Sequence, residues 1–426
     1  MFPHRGGGTG GPAPAVTSRP EFAGRRGRRG LRFRHSAKIV VALFMIAAVT
    51  LGIATAGGAK TKRHARQSGT MITSMHVSAP GVDGTAYAVK YWSTSARNRP
   101  QSVTGLVYVP FGTAPSGGWP VVSYAHSTNG MANACAPSLD PSNDVPAVND
   151  LLDNGWEVTA TDYQGEGNQN LAPTSRGLQP HGVNFAEAHN VIDIVRAASD
   201  VPGADPSSNY VVWGHSQGGG AAIFSLELAA SYAPDLHLLG AVASAPSTDL
   251  ADDFFGAPTD TASPFTLMYV AGYHAAYGNK VPLSLLTATG KRLDSQLGRE
   301  CYDSIAQAVD QYQVDQVFTT TTLPSKFQGL LDANDPLLLG TRSASPLLVV
   351  QGLDDTTNLP SDTQSMTNHL CGLGQDVVQW MYPGLDHNSI VTGSAGDVEH
   401  WIADRFAGHT NPDTYSPGGA QTSTCN

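Results

Sequence analysis

The sequence predicts an α/β fold: a mostly parallel central sheet flanked by helices, with a helical cap inserted late in the chain. Three observations point there. Short apolar, β-branched runs alternate with helix-length stretches from about residue 119 to 245. The alternation stops between Thr248 and Arg342, then resumes from Pro346 to Phe406. Alternation on both sides of an interruption calls for one sheet, covered on both faces, that an insertion divides. Finally, 41% hydrophobic and only 14% charged residues give 426 residues enough apolar content for a large core and argue against a disordered chain.

The elements follow in order. Ala86–Trp92 and Val103–Val109 flank a polar turn with Asn98, Arg99 and Pro100, which reads as an antiparallel hairpin. Trp119–Ala125 is an apolar strand, Asp144–Gly155 a helix, and Glu157–Thr161 a short strand. Asn184–Ala198 carries Phe185, Ala188, Val191, Ile192 and Val195 on one helical stripe. Asn209–Trp213 is a buried strand, Gln217–Ala230 a helix rich in small residues, and Leu238–Ala245 a strand. After the insertion come a strand at Pro346–Gln351, a helix near Asp362–Leu370, a strand at Asp376–Tyr382 and a last helix near Asp397–Phe406. The insertion has ten Phe or Tyr residues. Tyr269, Tyr273 and Tyr277 share one helix face, either as core of the cap or as lining of a cleft. The resulting divisions are a head at 1–59, a core at 60–247, a cap at 248–342 and the rest of the core at 343–426.

Charge separates the head from the body. Residues 1–66 hold 13 of the 25 Lys and Arg and only one of the 35 acids, so the remainder carries a net −22. A body this acidic repels phosphate backbones, which excludes nucleic acid as a partner. Arg-rich residues 25–34, the uncharged run from Ile39 to about Ala56 and the small residues Ala54-Thr55-Ala56 read as a secretory signal. The alternative is an uncleaved anchor that keeps the apolar segment in the membrane and the body on its outer face. Both place the body outside the cytoplasm. Cys135, Cys301, Cys371 and Cys425 agree: an even number, with no CxxC and no histidine at ligand spacing, suggests two disulfides rather than a metal site. Three pairings are open.

The chemistry centres on Gly214-His215-Ser216-Gln217-Gly218. GxSxG is a short pattern in a chain with 46 glycines, so its setting decides. Here it directly follows an apolar strand and directly precedes a helix, the strand–turn–helix of a nucleophile elbow. Ser216 would be the nucleophile, with the Gln217 backbone N–H aimed at a developing oxyanion. A serine hydroxyl needs a base. His387 is best placed, in the loop Pro383-Gly384-Leu385-Asp386 between a strand and the last helix. The acid that orients it should follow strand 346–351, where Asp354 and Asp355 stand together; the spacing from Gly352 favours Asp355. Asp386 adjoins His387 but would need an unusual backbone to reach its ring. The loop His126-Ser127-Thr128-Asn129-Gly130 should supply a second oxyanion donor at Thr128, with His126 as a loop anchor. This chemistry needs neither metal nor organic cofactor.

These segments resemble the secretory lipases, a branch of the α/β-hydrolase superfamily, over roughly residues 75–426. The resemblance rests on YAHSTNG (124–130), CAPS (135–138), TDYQGEG (161–167), VRAA (195–198), GHSQGGGAA (214–222), QGLDD (351–355) and YPGLDH (382–387). It implies the α/β-hydrolase fold, a helical cap, and a serine hydrolase of lipid or other esters, foremost triacylglycerols. It also implies Ser216, Asp355 and His387 as a triad and the disulfides Cys135–Cys301 and Cys371–Cys425. Two positions depart from the family pattern: Ser127 where the oxyanion loop usually has glycine, and Asn358-Leu359-Pro360 where Val-Pro usually follows the acid. The same triad would also serve a cell-envelope acyltransferase or a secreted exopeptidase, and a hydrolase-like binding protein could retain it unused.

Overall fold

Apolar and β-branched strands that are buried on both faces must stack side by side, and here they form one sheet. A computed structural model describes residues 67–143, 145–171, 177–251, 254, 261–409 and 415–425. The expected signal or anchor at 1–59 lies outside these residues. Among the described residues no helix is long and apolar enough to cross a membrane.

The sheet has ten strands: β1 Met71–Val77, β2 Gly84–Thr94, β3 Pro100–Pro110, β4 Trp119–Ala125, β5 Glu157–Thr161, β6 Pro206–His215, β7 His237–Ser244, β8 Leu347–Gly352, β9 Val377–Tyr382 and β10 Gln421–Cys425. Their order is β1-β2-β3-β5-β4-β6-β7-β8-β9-β10. The central pairings, from β5 to β9, are parallel. The β1–β2–β3–β5 side and the β9–β10 edge are antiparallel.

Helices cover both faces: α1 Val148–Asp153, α2 Asn184–Ala198, α3 Gln217–Tyr232, then α9 Pro360–Gly372, α10 Ser389–Gly393 and α11 Ala395–Phe406. Trp213, Trp380 and Trp401 fill one face together with Val350 and Ile402. Val191, Val195, Ala221 and Ala222 of α2 and α3 pack on the other. Between β7 and β8 runs the inserted segment with α4 Pro264–Tyr277, α5 Ala288–Asp294, α6 Tyr302–Val309, α7 Val314–Val317 and α8 Ser325–Asp332. Its apolar residues, among them Leu267, Tyr273, Phe327 and Leu331, form a further cluster that also takes in Met131, Val183 and Ala186.

Most expected elements appear where the sequence puts them; the differences have local causes. The helix expected at 144–155 is only α1, because Ala147 takes a left-handed backbone (φ 54°) directly after Pro146. Strand β10 reads QTSTC, with no apolar alternation; it is held by pairing with β9 and by the Cys371–Cys425 disulfide to α9. The second disulfide joins Cys135 to Cys301 across 166 residues, so both follow the pairing the resemblance implied.

Glu157 departs from the apolar logic of the core. It lies in β5 with no exposed surface, and neither carboxyl oxygen has a hydrogen-bond partner. Burial, then the charge of Asp205, raises its pKa from 4.5 to about 8. The unfolded chain therefore ionises first, and stability drains away as pH rises through the window from 4.5 to 8. Glu157→Gln is expected to flatten that slope, a difference on the order of a few kcal/mol near pH 8, checked by urea melts at pH 5 and pH 8.

Candidate active site

The residues that the sequence nominates for catalysis all sit at the carboxyl ends of parallel strands, the edge where open α/β sheets place their ligands. Thr128 follows β4, Ser216 and Gln217 follow β6, Asp355 follows β8 and His387 follows β9.

The elbow is sterically strained and held. Ser216 has φ 55° and ψ −115°, a region that costs a non-glycine residue about 1–3 kcal/mol. The turn closes only because its neighbours lack side chains. A Cβ on Gly214 would lie 1.9 Å from the Gly218 carbonyl oxygen, and one on Gly218 1.9 Å from that of Ala125. The Ser216 N–H donates to Ser244 O at 2.9 Å, and its carbonyl accepts from the N–H groups of Gly219, Gly220 and Ser247. α3 starts at Gln217, so the positive end of a 16-residue helix lies beneath the hydroxyl.

Three side chains meet there in line. Ser216 Oγ lies 2.9 Å from His387 Nε2, and His387 Nδ1 lies 2.8 Å from Asp355 Oδ2. Asp355 is buried, and its other oxygen accepts the N–H groups of Thr357 (2.8 Å) and Asn358 (3.0 Å). Gln351 Nε2 adds a bond to Oδ2 at 2.9 Å. Burial alone would raise this carboxyl; the His387 contact and the two loop N–H groups outweigh it and hold the pKa below the ordinary value. Asp354 is exposed on the same turn, and Asp386 is exposed and accepts from Asn388 and Ser389. The fold thus brings Asp355, not its two neighbours, to the imidazole.

The Thr128 and Gln217 backbone N–H groups donate to no protein acceptor among the described residues, so both remain open to a ligand. Their side chains are linked, Thr128 Oγ1 donating to Gln217 Oε1 at 3.3 Å. His126 is an anchor: it is buried, its Nδ1 lies 2.6 Å from Ser127 O, and burial lowers its pKa to about 4. His215 is also kept neutral by burial, with a pKa of about 4, and donates from Nε2 to the His387 carbonyl at 2.8 Å. It fixes the backbone of His387, a contact with no signature in the sequence.

Thr128 and Ser216 border a cavity of about 240 Å³ whose apolar wall includes Leu250, Phe254, Phe265 and Leu359. The tyrosine stripe of α4 divides its tasks. Tyr269 faces this cavity, Tyr273 is wholly buried in the cluster of the inserted segment, and Tyr277 packs beside it. Among the described residues no group of three or more His, Cys, Asp or Glu side chains could hold a metal ion.

A family model for secretory lipases matches residues 138–414, well over half of the chain. The chain belongs to the secretory lipase family. It is accordingly an ester hydrolase of the lipase and esterase class with an α/β-hydrolase fold. A relative from Mycobacterium tuberculosis named as a probable inactive lipase is 26% identical over 356 residues, 76% of this chain and 74% of that protein. A secreted triacylglycerol lipase from Malassezia globosa is 25% identical over 374 residues, covering 80% and 75%. The crystal structure of Candida antarctica lipase A in its closed state matches with a TM-score of 0.68 at 19% identity, over 82% of this chain and 84% of that one.

Proposed function

We propose that this protein is a secreted serine hydrolase of lipid esters that works through Ser216, His387 and Asp355. The observation that carries the reading is the unbroken line from Asp355 Oδ2 through His387 to Ser216 Oγ, at 2.8 and 2.9 Å. His387 Nε2 takes the hydroxyl proton as Oγ attacks the ester carbonyl, and Asp355 stabilises the imidazolium that forms. The N–H groups of Thr128 and Gln217 receive the oxyanion. The tetrahedral adduct collapses as His387 protonates the departing alcohol; water then enters, gives its proton to His387 and releases the acid. Secretion is supported by the family, by the secreted relative from Malassezia and by two disulfides.

The cavity supports an acyl chain of moderate length. A cavity of about 150 Å³ accommodates benzene, so the 240 Å³ here takes on the order of ten carbons. Each buried CH₂ contributes about 0.8 kcal/mol, enough to favour such chains over acetate by orders of magnitude. The inactive-lipase name of the mycobacterial relative raises a second reading, a hydrolase fold without turnover. One experiment separates the two: labelling with a fluorophosphonate, then hydrolysis of p-nitrophenyl esters from C2 to C16. Label on Ser216 and an optimum near C8–C10 are expected. A C2–C4 optimum would leave a general esterase and refute the lipid preference. A folded protein that takes no label would refute the hydrolase mechanism.

A further inference from the structure

Beneath the oxyanion donors lies a side chain that the mechanism above does not use. Glu187, in the first turn of α2, is buried, and one of its oxygens accepts two hydrogen bonds. Gln217 Nε2 donates to Oε1 at 2.7 Å and the Gly182 N–H donates to the same atom at 3.0 Å. Each bond leads onward. On one side, the Gln217 amide oxygen accepts the Thr128 hydroxyl, so the two oxyanion residues are fastened to each other and to Glu187. On the other, the Gly182 carbonyl accepts the hydroxyl of Tyr273, from α4 of the inserted segment, at 2.8 Å.

That second link is tightly seated. Gly182 has φ +68°, and a Cβ there would lie 2.1 Å from the ring of Tyr269. Gly272 of α4 packs so closely on the main chain of His181 that a Cβ would come within 2.5 Å of its N. The turn at 181–182 is therefore clamped against α4. Glu187 joins this turn to Gln217 through a single carboxyl oxygen. The second oxygen of Glu187, Oε2, has no partner. Burial raises the carboxyl to about 8, so near neutral pH it carries a proton and places no negative charge under the oxyanion.

We propose that Glu187 is a positioning residue that couples helix α4 of the inserted segment to the oxyanion hole, holding the Gln217 and Thr128 donors in place through the Gln217 side chain. The proposal rests on the serine-hydrolase reading above. It requires that Glu187 act on the transition state rather than on the ground-state complex, because Gln217 and Thr128 bind charge that exists only after attack.

The test is steady-state hydrolysis of a soluble p-nitrophenyl ester by the purified protein and its Glu187→Leu, Glu187→Gln and Tyr273→Phe variants. It is paired with inhibition by an alkyl boronic acid, which forms a tetrahedral adduct on serine. Glu187→Leu is expected to lower kcat about 100-fold with KM within about threefold, and to weaken boronate inhibition by a similar factor. Glu187→Gln keeps an acceptor oxygen for both bonds and should recover kcat to within about tenfold of the parent. Tyr273→Phe, which cuts only the link to α4, should lower kcat about three- to tenfold at constant KM. A folded Glu187→Leu variant with parental kcat would overturn the proposal, as would equal losses in the Leu and Gln variants. Parental kcat in Tyr273→Phe would overturn the coupling to α4. If Glu187→Leu does not fold, the Gln and Phe variants still decide. Absence of fluorophosphonate labelling in the parent protein would bring down the serine-hydrolase reading itself; normal labelling with unchanged kcat would bring down only this proposal.

Discussion

Ser216→Ala is expected to lower kcat for a soluble ester by at least about 10⁴-fold, and His387→Ala by a similar factor. The reason is geometric. Ser216 Oγ and His387 Nε2 stand 2.9 Å apart, and each is useless without the other: the alkoxide does not form without the base, and the base has no other nucleophile to serve. The losses should therefore not add. A double Ser216→Ala, His387→Ala variant should be no slower than the worse single one, because the residual rate comes from the oxyanion donors and substrate binding. KM should change little. Either single variant retaining a tenth of the parental kcat would disprove the assignment. The measurement is informative because sequence likeness reaches both a relative named as a probable inactive lipase and one named as a secreted triacylglycerol lipase.

Much of this site was legible in the sequence, and the reason is steric. An elbow cannot close unless the residues two before and two after the serine lack a Cβ, so Gly214 and Gly218, set between an apolar strand and a helix, mark the turn. His387 and Asp355 were legible because each lies in the loop after a strand whose apolar run is unmistakable, Val377–Tyr382 and Leu347–Gly352. Spacing from Gly352 favours Asp355 over Asp354 without excluding the latter; what spacing does not carry is that the turn buries Asp355 against the Thr357 and Asn358 N–H groups.

Glu187 and His215 stayed hidden for a different reason. Both interrupt apolar patterns, but a polar residue on a buried stripe reveals only that it needs a partner, not which one. Gln217 is 30 residues from Glu187 and His387 is 172 from His215, and only tertiary packing joins them. Strand β10 escaped because its pairing energy comes from β9 and a disulfide rather than from any pattern of its own.

Asp355→Asn is expected to lower kcat about 10⁴-fold while leaving the fold intact, and Asp354→Asn to stay within about twofold of the parent. The hydrogen bonds fix how the new amide would sit. Oδ1 of Asp355 accepts two main-chain N–H groups, from Thr357 and Asn358, and an NH₂ in that position would face two donors. The less costly placement keeps the asparagine oxygen on the loop and turns its NH₂ toward His387, where it meets one donor, Gln351 Nε2, instead of two. A donor at His387 Nδ1 reverses the imidazole tautomer, so Nε2 carries the hydrogen and cannot take the proton from Ser216. The loss should appear in kcat rather than KM, because the acyl cavity is not altered. Asp354 shares the turn and the carboxylate chemistry, yet it is exposed, and its N–H bond to the Leu385 carbonyl survives the substitution. The pair thus separates orientation of the base from the general negative charge of the loop. Equal effects from the two variants would mean that charge, and not the Nδ1 contact, sets the reactivity of His387.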